Sequence, residues 1–175
     1  MKNDTLMDRR QKILNLLSRR NSTLTGSELA RRLGVSRQII VQDIALLRAE
    51  GNPVLATPQG YLLQAEPRSA SRRTVLAVRH SPPQTGQELS LMVSHGLTVV
   101  DVIVEHPLYG ELRGNLMLRS LSDVERFISR VEKGQTSLLS SLTHGLHLHT
   151  VEYHNSNDLT RAQAELAQQG FLVTA

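Results

Sequence analysis

Hydrophobic positions follow two different periods along this chain. Through about the first fifty residues apolar side chains recur every three to four positions, as on one face of a helix; beyond residue 73, strand-like alternation is interspersed with further helical segments. Ile13, Leu14, Leu16 and Leu17 predict the inward face of a helix over 6–20, with Arg9, Arg10, Lys12, Arg19 and Arg20 left in water. Those arginines touch phosphate or merely solvate a surface; basic charge on a helix has no groove specificity of its own. Thr25 and Glu28 have the spacing of a capping box, so a second helix is expected there, carrying Leu29 and Leu33 inward and ending at Gly34. Val35 supplies an apolar plug and Ser36 caps a third helix, on which Ile40, Ile44 and Leu47 face the second before Gly51 closes the end. Residues 54–57 and 61–63 then predict a hairpin across Pro58-Gln59-Gly60.

The stretch from 64 to 73, QAEPRSASRR, is small and polar with a proline and reads as a linker. The resulting division is a winged helix-turn-helix over 1–66, a linker over 67–73 and a second domain over 74–175. That domain predicts strands in TVLAVRH, VVDVIVEH and ELRGNLMLRS, with a helix in QTGQELSLMVSH between the first two. Ser122 and Glu125 predict a capping box for a helix through Val131, ended by Lys133-Gly134. A strand over 147–152, a helix over 158–169 and a last strand FLVTA follow. The expected class is α+β, a mixed sheet with helices packed on it.

On the second helix of the front hairpin, Ser36, Arg37, Gln38, Val41, Gln42 and Arg48 remain on or near the open face. A forked guanidinium for guanine, amides for adenine and an apolar contact for thymine are what reading the major groove requires, and Gln59 sits at the wing tip. An ordinary helical hairpin with a solvated face is the plainer alternative. Charge favours nucleic acid: residues 1–63 hold ten Lys and Arg against five Asp and Glu, net +5, and residues 64–175 hold ten against eleven, net −1. The five aromatic residues are too few for a base-stacking platform, so duplex DNA is the expected partner. No apolar run is long enough for a membrane span and the amino terminus does not read as a signal peptide, so a cytoplasmic location is expected. Cysteine is absent, which excludes disulfides and thiolate metal sites and leaves His and carboxylate as the only metal ligands.

All seven histidines lie in the second domain, six of them in or beside its predicted strands. His147 and His149 are two apart in a strand and therefore share a face, within reach of one metal ion. His80 ends the first strand, and Glu88 follows on the next helix after Pro82-Pro83, so one corner offers a third nitrogen and an oxygen. Two such histidines can equally be hydrogen-bonded surface residues.

The segments HSPPQTGQEL, EHPLYGEL and LTHGLHLHT, in that order behind a winged helix-turn-helix, resemble the three-histidine (3H) domain of the niacin-responsive transcriptional repressors of bacteria. The resemblance runs over essentially the whole chain. It implies a homodimer on double-stranded operator DNA that represses genes of niacin uptake and NAD biosynthesis, with nicotinic acid as co-repressor. It further implies a sensor domain holding a divalent transition metal such as nickel, zinc or iron. The implied ligands are His80, Glu88, His147 and His149. His106 is assigned near the effector, or to a hydrogen-bonding role before Pro107; Arg113, beside the same turn, is the other candidate effector contact. His95, His144 and His154 lie outside the matched pattern. The alternative class is a metal-dependent hydrolase or other small-molecule enzyme with an autoregulating DNA-binding domain; it needs an acid or base beside the metal, for which Glu105 and Glu111 are the candidates.

Overall fold

Local capping sets the ends of the front helices. The computed structural model describes residues 2–19, 23–64, 71–134 and 136–174. Helix α1 (Lys2–Ser18) starts earlier than its hydrophobic face suggests. Before α2 (Gly26–Leu33), the Thr25 hydroxyl accepts the Glu28 N–H at 3.1 Å and the Glu28 carboxylate accepts the Thr25 N–H at 2.8 Å. Gly34 ends that helix with φ +66, and Ser36 accepts the Ile39 N–H to open α3 (Arg37–Ala49). Strands β1 (Val54–Thr57) and β2 (Gly60–Leu63) form the wing. Tyr61 also exchanges both backbone hydrogen bonds with Leu24, which ties the wing to the entry of α2. Gly60, with φ +130, is required twice over, since a Cβ there would lie 2.6 Å from the Leu24 carbonyl oxygen.

The core of this unit holds Ile13, Leu17, Leu24, Leu29, Ile40, Ile44, Leu47 and Val54. One member of the α3 stripe is charged. Asp43 is buried and accepts from Nε and Nη2 of Arg9, at 2.6 and 3.0 Å, while Arg10 pairs with Glu50. The expectation that Arg9 and Arg10 stay in water is therefore corrected: they fasten α1 to the third helix. A buried carboxylate is tolerable only when paired and hydrogen-bonded, and the two-pronged arginine does both.

In the second unit four strands, β3 (Arg72–Arg79), β4 (Thr98–His106), β5 (Gly110–Leu118) and β6 (Leu146–Tyr153), form a sheet in the order β3-β6-β4-β5. The α+β class stands, but every pairing among the described residues is antiparallel, so the sheet is not mixed. Parallel strands are present without touching: β3 and β4 flank β6, and β5 and β6 flank β4. Helices α4 (Thr85–Ser94), α5 (Leu121–Gly134) and α6 (Ser156–Gln168) cover one face. Leu76, Val99, Leu116, Leu118 and Val151 of the sheet meet Leu89, Met92, Val124, Ala162 and Leu166 of the helices.

Three other expectations change. Strand β3 begins at Arg72, inside the expected linker, whose residues 67–70 lie outside the described residues. The box opening α5 is Ser120 with Asp123 rather than Ser122 with Glu125: the Ser120 hydroxyl accepts the Asp123 N–H, and the Asp123 carboxylate accepts the Ser120 N–H. That register buries Val124. The last segment makes only a single bridge, Val78 with Leu172, although its backbone also bonds Ala77 and Arg79 and so covers the β3 edge.

The chain forms two compact units, Met1–Glu66 and Pro67–Ala175. Arg9→Ala leaves the Asp43 carboxylate buried without its partner and should destabilise the first unit by on the order of 2–4 kcal/mol. Arg10→Ala, whose partner Glu50 is half-exposed, should cost at most about 1 kcal/mol. Urea unfolding of the two variants checks the ranking.

Candidate metal centre and DNA-reading face

Antiparallel pairing puts His147 opposite Val78 and His149 opposite Leu76, so both imidazoles point into the helix-covered face beside Val151. The chain leaves β3 at His80, turns through the short 3-10 helix Pro82–Gln84 and enters α4, whose first turn carries Glu88. Ser81 and Gln84 cap that corner reciprocally. All four side chains are buried.

Each imidazole is held by a backbone carbonyl. His80 Nδ1 lies 2.9 Å from the Ser81 carbonyl, His147 Nδ1 lies 2.8 Å from that of Gly145, and His149 Nδ1 lies 2.6 Å from that of Asp101. A carbonyl can only accept, so each Nδ1 carries the ring's proton and each Nε2 is left with a lone pair. Those lone pairs converge. His80 Nε2 is 3.0 Å from Glu88 Oε2, His147 Nε2 is 3.2 Å from His149 Nε2, and His149 Nε2 is 3.3 Å from Glu88 Oε1. Glu88 Oε1 has no hydrogen-bond partner among the described residues. Acceptors facing acceptors in a dry interior need a shared proton or a cation between them.

The charge balance follows from the same contacts. Burial works against the Glu88 charge, but a charged His149 ring and bonding from His147, His149 and His80 hold its carboxyl well below the usual range. Burial likewise disfavours protonated His80 and His149, and Glu88 together with the Ser81 carbonyl at His80 and Asp101 at His149 outweighs it, leaving both more basic than an ordinary imidazole. Ligand atoms of His80, Glu88 and His147 all lie within 4.8 Å of one another, and His149 adjoins them. Three imidazoles and a carboxylate suit zinc, nickel or iron, and giving the second ring nitrogen to a carbonyl is how metal-bound histidines are ordinarily oriented. The donor set thus fits a divalent transition ion.

Sequence reasoning missed the carbonyl acceptors. Gly145 could have been found, because it precedes the HLH run: its φ is +87, and a Cβ there would collide with the His80 carbonyl, so only glycine lets the two ligand segments meet. An open depression of about 490 Å³ borders the cluster, lined by Arg79, His80, Ser81, Pro82, Ser141, His144 and Gly145.

The other expected contacts fall elsewhere. His144 is exposed in a left-handed turn, and His95 pairs with Glu165. His106 accepts the Leu108 and Tyr109 amides and packs on the Tyr109 ring, as a turn-holding residue does. Arg113 is engaged by Asp101 and Glu111. It pairs with Ile103, three positions from His106. The two candidate effector residues therefore stand on opposite faces of the sheet. Glu105 and Glu111 pair with each other on the face away from His147 and His149, exposed, and do not stand beside the cluster as an acid or base would.

On α3, Ser36, Arg37, Gln38, Val41, Gln42 and Arg48 are all exposed, while Ile40, Asp43, Ile44 and Leu47 are buried. The Arg37 side chain and the Tyr61 ring both lie beside Gly26. Gln59 departs from expectation: both its amide atoms are buried and find no hydrogen-bond partner among the described residues, so it does not project from the wing.

No helix among the described residues is long and apolar enough to cross a membrane. Residues 73–175 match the 3H domain family and residues 9–62 match a helix-turn-helix domain. The chain is 42% identical over 166 residues to a protein named probable transcription repressor NiaR from Thermotoga maritima, covering 95% of this chain and 94% of that one. It is 39% identical over 168 residues to the transcription repressor NadR of Bacillus subtilis, covering 95% and 93%. With its reading helix exposed and its three histidines gathered, the chain belongs to the niacin-responsive transcriptional repressor family, DNA-binding regulators that join a helix-turn-helix to a 3H domain.

Proposed function

We propose that this chain represses genes of niacin uptake and NAD biosynthesis by binding operator DNA as a homodimer, with nicotinic acid as co-repressor sensed at a metal held by His80, Glu88, His147 and His149. One observation carries the sensing part: three imidazole Nε2 atoms and the Glu88 carboxylate converge in a buried site, each ring's Nδ1 being held by a backbone carbonyl. A divalent ion bound there would supply an electrophile for the carboxylate or ring nitrogen of a pyridine carboxylic acid. The depression lined in part by His80 lies beside the cluster and is the candidate place of entry for a small aromatic acid. Residues 1–66 carry the DNA surface and 74–175 the sensor, in keeping with the division of charge.

Dimerisation follows from the usual match of paired recognition helices to half-sites one DNA turn apart. Effector binding shifts the DNA equilibrium only by the difference in its affinity for the two states, so a variant that cannot bind effector should behave like the unliganded protein. DNA reading is assigned to Ser36, Arg37, Gln38, Val41 and Gln42 on the open face of α3.

Two results are expected. Arg37→Ala should lose on the order of 1–3 kcal/mol at the operator and little on unrelated duplex. Competition titrations with both duplexes measure the difference, and equal losses would make Arg37 a phosphate contact. His149→Ala should purify with less metal, lose nicotinate binding, and hold the operator with the weak affinity of unliganded protein whether or not nicotinate is added. A metal-free His149→Ala protein that still tightens on its operator at the wild-type nicotinate concentration would remove the cluster from the mechanism.

A further inference from the structure

Strand β4 is irregular where it crosses the metal-facing part of the sheet. Between Val99 and Ile103 it carries one residue more than β6, and its register with β5 shifts between Val99 and Asp101. Across that shift Met117 of β5 adopts φ +52, a left-handed conformation unusual for a side chain of that size. Irregularities of this kind in a central strand sacrifice ladder hydrogen bonds and re-aim backbone groups. Here the re-aimed group is the Asp101 carbonyl, which accepts the His149 Nδ1–H at 2.6 Å.

The Asp101 side chain grips the same place from the other side. It is 4% exposed, and its two oxygens are divided: Oδ1 accepts the Thr150 N–H at 3.0 Å, and Oδ2 accepts Arg113 Nη1. Arg113 in turn gives Nη2 to Glu111 at 2.8 Å. Asp101 thus holds the ring of His149 through its backbone and the amide that follows His149 through its carboxylate. We propose that Asp101 is a positioning residue for His149, braced by Arg113, so that a charge cluster on one face of the sheet sets metal affinity on the other. The inference rests on the metal reading of the cluster.

The physical reason is the ring's proton. While the Asp101 carbonyl holds Nδ1–H, the Nε2 lone pair stays aimed at Glu88 and His147. A ring released from that carbonyl is free to rotate or to move its proton to Nε2, and either change removes a ligand. Loss of such an outer partner ordinarily weakens a metal site by about 10–100-fold.

Cobalt(II) is the probe, because its visible absorption reports the coordination shell as well as occupancy. In chelator competition Asp101→Ala should bind cobalt about 10–100-fold more weakly than wild type, and Arg113→Met about 10-fold more weakly. Both should show altered visible bands, and nitrogen-15 histidine spectra of the metal-free proteins, taken at alkaline pH where the ring is neutral, should show His149 gaining the Nε2–H tautomer. Asp101→Asn keeps an oxygen for the Thr150 amide and should restore most of the affinity. Melting of the metal-free proteins separates weaker binding from weaker folding. Should Asp101→Ala fail to fold, Arg113→Met decides alone: weaker cobalt binding with unchanged metal-free melting supports the proposal. Wild-type affinity, bands and tautomer in the variants overturn it while leaving the metal reading in place. A wild type that takes up no cobalt, like His149→Ala, overturns both.

Discussion

A histidine that gives its Nδ1 proton to a fixed carbonyl has only Nε2 left for chemistry, and the second unit of this protein applies that constraint three times. The carbonyls of Ser81, Gly145 and Asp101 belong to a strand-to-helix corner, a left-handed glycine turn and an irregular central strand. The Ser81 carbonyl also accepts the Gln84 N–H and the Gly145 carbonyl the His80 N–H, so these oxygens serve the backbone and a ring together. The order β3-β6-β4-β5 puts β6 between β3 and β4, and so brings His80 and the Asp101 carbonyl to either side of the HLH run.

The first unit uses a comparable device for a different purpose. Asp43 lies in the apolar stripe of the reading helix and is matched by Arg9 of α1. An apolar residue at that position would pack; the charged pair also fixes where α1 sits against α3, which sets the pose of the exposed Arg37, Gln38, Val41 and Gln42. Both units therefore present their reactive groups from buried polar contacts, with the apolar core supplying the surrounding rigidity.

What was legible in the sequence was whatever depends on spacing along one element. The Thr25–Glu28 and Ser36 caps, the open face of α3 and the shared face of His147 and His149 follow from helical and strand periods alone. Glu88 is eight residues from His80, and no single-element period links the two across a turn; the order of motifs identified it. Backbone acceptors carry no side-chain signature, so the carbonyls of Ser81 and Asp101 were invisible, as was the irregularity of β4. In SLSDVE two overlapping capping boxes compete, and burial of Val124 selects the earlier one. Asp43 did leave a signal, a lone acid inside the 40-44-47 stripe, and a basic helix upstream was its natural partner. His106 and Arg113 flank the same turn in the sequence, and only the pairing across β4 and β5 reveals that they stand on opposite faces.

The central claim is that a metal at the His80, Glu88, His147 and His149 cluster is what nicotinic acid binds. Calorimetric titration of the purified full-length protein with nicotinic acid tests it most directly when the same sample is measured as isolated, after chelator treatment and dialysis, and after zinc or nickel is restored. The account predicts saturable heat of binding as isolated, none in the stripped protein, and recovery in proportion to the metal returned. Equal nicotinic acid affinity in the stripped and the metal-loaded protein would contradict it.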